Sequence, residues 1–246
     1  ADALDSLAVA LLVLEGMIGT RPGNLWPLRE DFLPTGVQPA QLDEWYTLAQ
    51  DNNPDIRAQR KAYENARLEV DRNRAGHFPQ VDFVATNTRG ENQSIDTLNQ
   101  KSSINAVGVQ VNIPLFAGGR VNAQTSQAIA NRERAQAELD AVINSTLVEV
   151  KRQFLAVQTG GTKVTAYQKA VDSSVVASEG TLRGMKAGIR TNSDVLDAER
   201  QMFVAKRDLA QARYQFLANT LQLKAAAGVL SEKDIVEIAR LLIPVP

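Results

Sequence analysis

Two acidic side chains, Asp194 and Asp197, are the residues whose type and spacing could do chemistry in this chain. They follow a short turn that contains Arg190, and they are three positions apart. On a helix this spacing puts both carboxylates on one face, where they could attract cations and repel anions. The alternative is that Asp194 favours the positive end of a helix and that Asp197 is solvated surface. The residues alone favour the second interpretation without excluding the first.

Little else in the sequence suits an active site. The 246 residues contain one histidine, no cysteine and no phosphate-binding glycine loop. His77 follows Gly76, which ends a predicted helix, and a lone histidine in that place is more often structural than a metal ligand. The absence of cysteine excludes a disulfide framework and thiolate chemistry. We therefore predict that the protein is not an enzyme and holds no cofactor or metal.

Charge and hydropathy set further limits. The formal net charge is −1, so no excess of positive charge indicates a nucleic-acid partner. The longest apolar stretch, Leu7 to Leu14, is far shorter than the roughly 20 residues that span a bilayer as a helix. The start at Ala1 and Asp2 lacks the basic residues of a signal peptide, which predicts a mature form or an internal fragment.

Two long helical patterns flank the acidic turn. Apolar residues recur at steps of three and four at Leu139, Ile143, Leu147, Val150, Phe154 and Val157, and a similar stripe consists of Leu196, Phe203, Leu209, Phe216 and Leu223. These seams predict antiparallel helices over 117–186 and 193–227 with coiled-coil packing. At about 1.5 Å per residue, the first would be on the order of 100 Å long. Gly160 and Gly161 leave open the alternative that it breaks into two shorter helices.

Two segments alternate in the manner of strands. One side of the second segment carries Val107, Val109, Val111 and Ile113, and its other side carries Ala106, Gly108, Gln110 and Asn112. An aliphatic face backed by small and polar residues is typical of a transmembrane barrel strand, and Pro114 closes the ladder. Residues 80–89 alternate likewise. The polar stretch 90–103 between the two segments is predicted to be an exposed hairpin loop.

The remaining segments contain shorter helices and one stretch that is similar to a later part of the chain. Helices are predicted over 3–18, 42–50 and 53–75, with Asn53 as the cap of the third and a proline-rich loop over 20–40. Residues 11–19 resemble residues 220–228, because the pairs Leu12 with Leu221, Leu14 with Leu223 and Gly19 with Gly228 match in register. The similar stretch is short enough to arise by chance, but it also suggests an internal duplication.

Several separated motifs resemble the TolC-like outer-membrane channels of bacterial efflux pumps and type I secretion systems. The motifs are Ala75-Gly-His-Phe-Pro79, Val111-Asn-Ile-Pro-Leu-Phe-Ala-Gly-Gly119, Gly188-Ile-Arg-Thr-Asn-Ser-Asp-Val-Leu-Asp197, Ala210-Gln-Ala-Arg-Tyr-Gln-Phe216 and Ala227-Gly228. The resemblance covers nearly the whole chain, from the helix end before Gly19 to Pro246. Several separated motifs in the family's order are more specific than any single motif. The chain looks like the second repeat of a protomer plus the last helix of the first.

The resemblance implies a mainly α fold in which a long antiparallel coiled-coil hairpin joins two transmembrane β-barrel strands. The implied segments are the end of a first-repeat helix (1–19), an equatorial loop and short helix (20–52), a tunnel helix (53–78), an outer-membrane β-hairpin (79–116), a periplasmic helical hairpin (117–228) and an equatorial helix and tail (229–246). In the family three protomers close a twelve-stranded barrel in the outer membrane above a periplasmic tunnel. The implied partners are two further protomers, outer-membrane lipid, a periplasmic adaptor protein and, indirectly, an inner-membrane transporter.

The resemblance also assigns roles to the acidic turn. Gly188, Arg190 and Thr191 would form the periplasmic tip that receives the adaptor, and Arg190 would help to hold the mouth closed. Three copies of Asp194 and Asp197 would form a selectivity ring at the entrance. The chain departs from the enteric members of the family, which have a tyrosine five residues before the arginine. Here that position is Met185, so the bonding of the closed state would differ.

The predicted function is a passive exit duct across the periplasm and outer membrane, with a periplasmic gate. Two alternatives belong to other classes. A periplasmic adaptor would need lipoyl-like and barrel domains on either side of its helical hairpin, and a plain structural coiled coil would have no use for the alternating strands. The exported substrate cannot be read from the sequence, because a wide water-filled tunnel has no specific pocket.

Overall fold

The computed structural model of the protein describes residues 2–21, 23, 25–92 and 100–243. Its helices are α1 (Asp2–Ile18), α2 (Leu42–Asn52), α3 (Pro54–Arg74), α4 (Arg120–Lys186), α5 (Asn192–Ala226) and α6 (Glu232–Ala239), and its strands are β1 (Gln80–Asn92) and β2 (Gln100–Asn112). A short 3₁₀ turn, Ala75–His77, follows α3. The fold is thus mostly helical with an antiparallel two-stranded hairpin, as predicted. It divides into two compact units, residues 1–54 with 144–246, and residues 55–143.

The longest helix, α4, is unbroken over 67 residues and continues through Gly160 and Gly161. A Cβ atom on Gly160 would lie 3.4 Å from Cδ2 of Phe216, and one on Gly161 would lie 3.8 Å from Cβ of Pro34. The two glycines therefore leave room for neighbours to pack closely on the α4 backbone. The alternative of two shorter helices is wrong. The helix begins three residues later than the predicted start at 117, because Gly118 and Gly119 have φ values of 59° and 79°, outside the helical range.

Burial in the first unit follows a seven-residue interval. The buried residues at this spacing are Val150, Val157, Val164, Val171 and Ser178 on α4, and Val195, Leu209, Phe216 and Leu223 on α5. Most residues of the two predicted apolar stripes are buried or half-buried, but Leu196 and Phe203 are 59% and 62% exposed. Each comes one position after a member of the seven-residue series that runs through Val195 and Leu209. One position turns a helical side chain by roughly 100°, so both point away from the buried stripe.

A loop and a short helix complete this core beside the α4–α5 hairpin. Phe32 from the loop packs against Phe216, with ring centroids 6.2 Å apart, and Trp45 of α2 is 1% exposed. The Trp45 indole donates a hydrogen bond to the Pro39 carbonyl at 2.8 Å. The Leu28 backbone N–H donates to the Tyr214 hydroxyl at 3.1 Å. The segment predicted as a loop is therefore fixed to the helical hairpin by apolar packing and satisfied polar groups.

The β-hairpin lies in the second unit, and its register aligns the two predicted aliphatic faces. Val81 pairs with Val111, Phe83 with Val109, and Ala85 with Val107. The ladder continues to Asn92 and Gln100, so the predicted loop over 90–103 is wrong at both of its ends, and residues 93–99 lie outside the described residues. Backbone pairing does not need apolar side chains. Polar partners, including the Glu91–Lys101 ion pair at 2.7 Å, continue the hairpin where the aliphatic pattern stops.

Candidate functional site

The turn between α4 and α5, residues 187–191, is the candidate site, and we call it the open turn. It begins with a Schellman motif: the Gly188 N–H donates to the Met185 carbonyl at 2.9 Å, and the Ile189 N–H donates to the Gly184 carbonyl at 3.0 Å. Gly188 has φ +78°, and a Cβ atom on it would meet no atom within 4 Å. The end of α4 is therefore fixed by its own backbone, and the turn stands in open space.

The start of α5 is fixed by a capping box. The Thr191 hydroxyl accepts a hydrogen bond from the Asp194 N–H at 3.2 Å, and Asp194 Oδ2 accepts one from the Thr191 N–H at 2.9 Å. These bonds to Thr191, with a smaller contribution from the positive charge of Arg190, lower the pKa of the Asp194 carboxyl. Asp194 therefore caps the start of α5, as the interpretation based on the positive end of a helix predicted. The carboxyl is ionised at neutral pH, as a charged ring would require, since its pKa lies below the ordinary value for aspartate.

Asp197 lies one turn further along α5 and is mostly solvated. Its Oδ1 is 3.5 Å from the Arg200 guanidinium, and the two side chains are 62% and 75% exposed. An ion pair this exposed contributes little to stability. The spacing of Asp197 and Asp194 keeps them on one helix face, as predicted.

Arg190 is the exposed cation of the open turn. Within the described ranges, no ion pair includes its guanidinium. Its side-chain stem crosses the last turn of α4, because a Cβ atom on Gly184 would lie only 2.9 Å from Cγ of Arg190. The turn therefore combines an exposed cation that forms no ion pair among the described residues, a capping aspartate and a second, solvated aspartate.

A second candidate surface is the aliphatic face of the β-hairpin. Phe83, Val107 and Val109 on this face are 74%, 71% and 67% exposed. The opposite face carries Gln110 opposite Asp82, and Gly108 opposite Val84. Several adjacent large apolar side chains open to solvent indicate a surface that another phase or another chain covers.

The remaining predicted candidate, His77, joins two local elements. Its Nε2 lies 3.1 Å from Asn122 Oδ1, so the ring links the turn after α3 to the first turn of α4. Among the described residues no group of three or more histidine, aspartate or glutamate side chains is arranged to hold a metal ion. In the same residues, no helix has the length and apolar character to cross a membrane.

A second copy of the turn motif, which the sequence reasoning missed, joins α5 to α6. We call residues 227–231 the packed turn, and it has the same spacing of glycine, hydroxyl and aspartate at Gly228, Ser231 and Asp234. The Gly228 and Val229 N–H groups form a Schellman motif, and Ser231 and Asp234 form a capping box. The repeated spacing, Gly-x-x-Ser/Thr-x-x-Asp, is the sequence signal that could have found it.

Comparisons with known proteins show what this chain is similar to. The chain is 37% identical over 238 residues to the proteases secretion protein PrtF of Dickeya chrysanthemi, covering 96% of this chain and 52% of that protein. It is 31% identical to the outer membrane protein TolC of Escherichia coli, covering 77% and 41%. The open-state MtrE outer membrane channel of Neisseria gonorrhoeae has a similar fold, with a TM-score of 0.70 at 21% identity over 94% of this chain and 52% of that one.

The matches show the family of this chain and how much of each relative the chain covers. The chain spans about half the length of the curated relatives it matches. The model of the outer membrane efflux protein family matches residues 45–229, which include α3, the β-hairpin, α4, the open turn and α5. This chain therefore belongs to the outer membrane efflux protein family, the TolC-like channels.

Proposed function

We propose that the chain is the second repeat of a protomer of an outer-membrane exit duct, together with the last helix of the first repeat. The duct would be a passive conduit of a tripartite efflux pump or a type I secretion system. The supporting observation is the family match over residues 45–229, which takes in both the amphipathic hairpin and the helical hairpin. Similarity to a protease secretion protein and to TolC is the reason for naming both machines.

The β-hairpin would supply two strands to a barrel in the outer membrane. Val107, Val109 and Val111 would face lipid, and Gly108, Gln110 and Asn112 would line a watery lumen. The support is the pairing of Val81 with Val111 and Phe83 with Val109, which gathers the aliphatic side chains of both strands on one face. Two repeats in each of three protomers would close twelve strands, which leaves no open edge.

The α4–α5 hairpin would form part of the periplasmic tunnel wall. Burial at seven-residue intervals on both helices supports a coiled-coil seam, since that period keeps one stripe facing its partner. Residues 20–52 and 229–246 would form the equatorial part beside it. Their support is the isolated bridge between Leu28 and Leu242, which ties the loop before α2 to the segment after α6.

The open turn would be the periplasmic entrance. In a trimer, three copies of Asp194 and Asp197 would form a negative ring that favours cations. The capping box supports this role, because it fixes the Asp194 carboxylate at the start of α5, beside the turn. Gly188, Arg190 and Thr191 would form the docking surface for a periplasmic adaptor, and Arg190 would help to close the mouth.

The entrance can be tested by single-channel conductance of the complete trimer in planar bilayers. The double variant D194N/D197N should raise anion passage and weaken block by multivalent cations, because the opposed carboxylates that hold such a cation are gone. D172N removes a carboxylate from α4 fourteen positions before its last residue and is the matched control. Wild-type selectivity and block in the double variant would show that the two aspartates are ordinary helix surface.

The barrel strands can be tested by charge placement on the two faces of β2. Arginine at Val109 should destabilise the complete protein by roughly 2–4 kcal/mol if the site is near the middle of the bilayer, and arginine at Gln110 by much less. The measurement is the free energy of unfolding in lipid vesicles. Equal tolerance at the two positions would contradict the assignment of faces.

A further inference from the structure

The open and packed turns differ at the residue four positions before their glycine. In the packed turn this residue is Lys224, and its ammonium group forms an ion pair and hydrogen bond with the capping carboxylate of Asp234. In the open turn the same position is Gly184, so α4 offers no cation to Asp194 there. A turn that is otherwise built the same way thus lacks its lysine at the proposed entrance.

The space left by the missing side chain is occupied by Arg190. A Cβ atom on Gly184 would lie 2.9 Å from Cγ and 3.6 Å from Cβ of Arg190, and 3.6 Å from Cγ1 of Ile189. Real Cβ contacts essentially never come as close as 2.9 Å. The Cγ atom is near the backbone rather than at the flexible end of the side chain, so it cannot move away without a change of rotamer.

We propose that Gly184 is a positioning residue for Arg190, because only glycine at this place lets the Arg190 stem lie across the last turn of α4. The inference rests on the proposed function, in which Arg190 helps to close the entrance. It extends that function to a residue on the last turn of α4, beside the open turn. Gly184 also explains why the positive charge acting on Asp194 comes from the turn itself rather than from α4.

The substitution G184A separates positioning from stability. Alanine favours the helix over glycine, so α4 should form at least as well, while the added methyl group displaces Arg190 into another rotamer. G180A is the matched control, since Gly180 lies one turn earlier on α4 and its added Cβ would meet nothing within 4 Å. In R190A the close contact disappears, because only the 3.6 Å contact to Cβ remains at residue 190.

The experiment measures the occupancy of the closed state in planar bilayers for complete trimers of these variants. G184A and R190A should each lower it roughly tenfold, the effect of one hydrogen bond to a charged group, and G180A should leave it unchanged. G184A/R190A should equal R190A. If G184A behaves like G180A while R190A opens the channel, Gly184 has no positioning role and the entrance role of Arg190 stands. If R190A has no effect, both the inference and that entrance role fail.

A second variant tests the same inference through Asp194 and does not depend on closure. G184K recreates the lysine of the packed turn, so its ammonium group should pair with the Asp194 carboxylate. Block by multivalent cations should then weaken to the level of D194N alone. Wild-type block in G184K, with D194N weakened, would overturn the claim that the missing side chain at 184 determines which cation acts on Asp194.

Discussion

The open turn and the packed turn have the same construction and opposite surroundings. Each ends a helix at a glycine of positive φ, +78° at Gly188 and +70° at Gly228, and each starts the next helix with a capping box. A Cβ atom at Gly188 would meet nothing, whereas one at Gly228 would lie 2.5 Å from the Asn52 carbonyl carbon and oxygen. The capping aspartate of the packed turn is only 13% exposed and bound to a lysine.

The two turns show that the bonds needed to form such a turn are independent of the surroundings that fit it for a structural or a binding role. The hydrogen bonds that reverse the chain are supplied in both places by backbone groups, a hydroxyl and a carboxylate. The packed turn adds apolar burial and a neutralising lysine, which suit a structural joint. The open turn has an exposed arginine and two carboxylates, which suit a surface that meets ions or a partner.

We expect the largest difference between the two turns when the glycine of each is replaced by alanine. G228A adds a methyl group that overlaps the α2–α3 junction at Asn52 and Asn53 and also strains the backbone, so most of the folded protein should be lost. G188A meets no atom and bears only the left-handed backbone cost, roughly 1–2 kcal/mol. The measurement is the yield of folded, complete protein and its thermal unfolding. Similar yields of the two variants would mean that the packed turn is not a structural joint.

The second effect concerns the charge pair of the packed turn. The hydrogen bond from Lys224, followed by the Ser231 N–H, lowers the pKa of Asp234 to about 2. Because the folded chain favours the carboxylate form, the pair stabilises α6 fully above about pH 4, and this stabilisation is lost as the pH falls toward 2. Its full size is about 2 kcal/mol. Amide hydrogen exchange of α6 should therefore accelerate between pH 4 and 2, relative to the intrinsic rates.

Two variants check the origin of this acid dependence. D234N should show fast exchange in α6 already at pH 5 and little further change on acidification, and K224M should reduce the acid dependence while keeping the apolar stem. D194N in the open turn should leave the exchange of α6 unchanged. An acid response of α6 that survives in D234N would assign it to another group.

Much of this architecture could be predicted from the sequence because periodic patterns report local geometry. The alternation around Val109 predicted the strand and its faces, and the break at Gly188 predicted the turn between the helices. The predictions were wrong where tertiary contacts decide which residues are buried. Leu196 looked like a seam residue because a step of seven from Phe203 is also regular, but the partner helix buries the stripe of Val195 instead.

The structural roles of Gly184 and Lys224 could not be predicted in the same way. Lys224 meets Asp234 ten residues further along the chain, and the contact exists only because the packed turn reverses the direction of the backbone. Gly184 matters because it has no side chain. The need for glycine there can be recognised only from the structure, in which the Arg190 stem occupies the place of a Cβ atom. Gly160 looked like a possible helix break for the same reason, since its packing partner Phe216 lies on another helix.

The smallest expected effect is at the hydroxyl caps. T191A removes the hydroxyl that accepts from the Asp194 N–H, and S231A removes the hydroxyl that donates to Asp234 Oδ2 at 2.9 Å. The loss of a capping hydroxyl costs typically about 1 kcal/mol. In the packed turn this loss should destabilise α6 as a whole, because α6 has only eight residues. In the open turn it should fray only the first turn of α5, since 35 residues of packed helix follow. Hydrogen exchange resolved by residue measures both, and T191S, which keeps the hydroxyl, is the control. If T191A instead loosened α5 as far as Leu209, the open turn would be a structural joint like the packed one, and the contrast between them would fail.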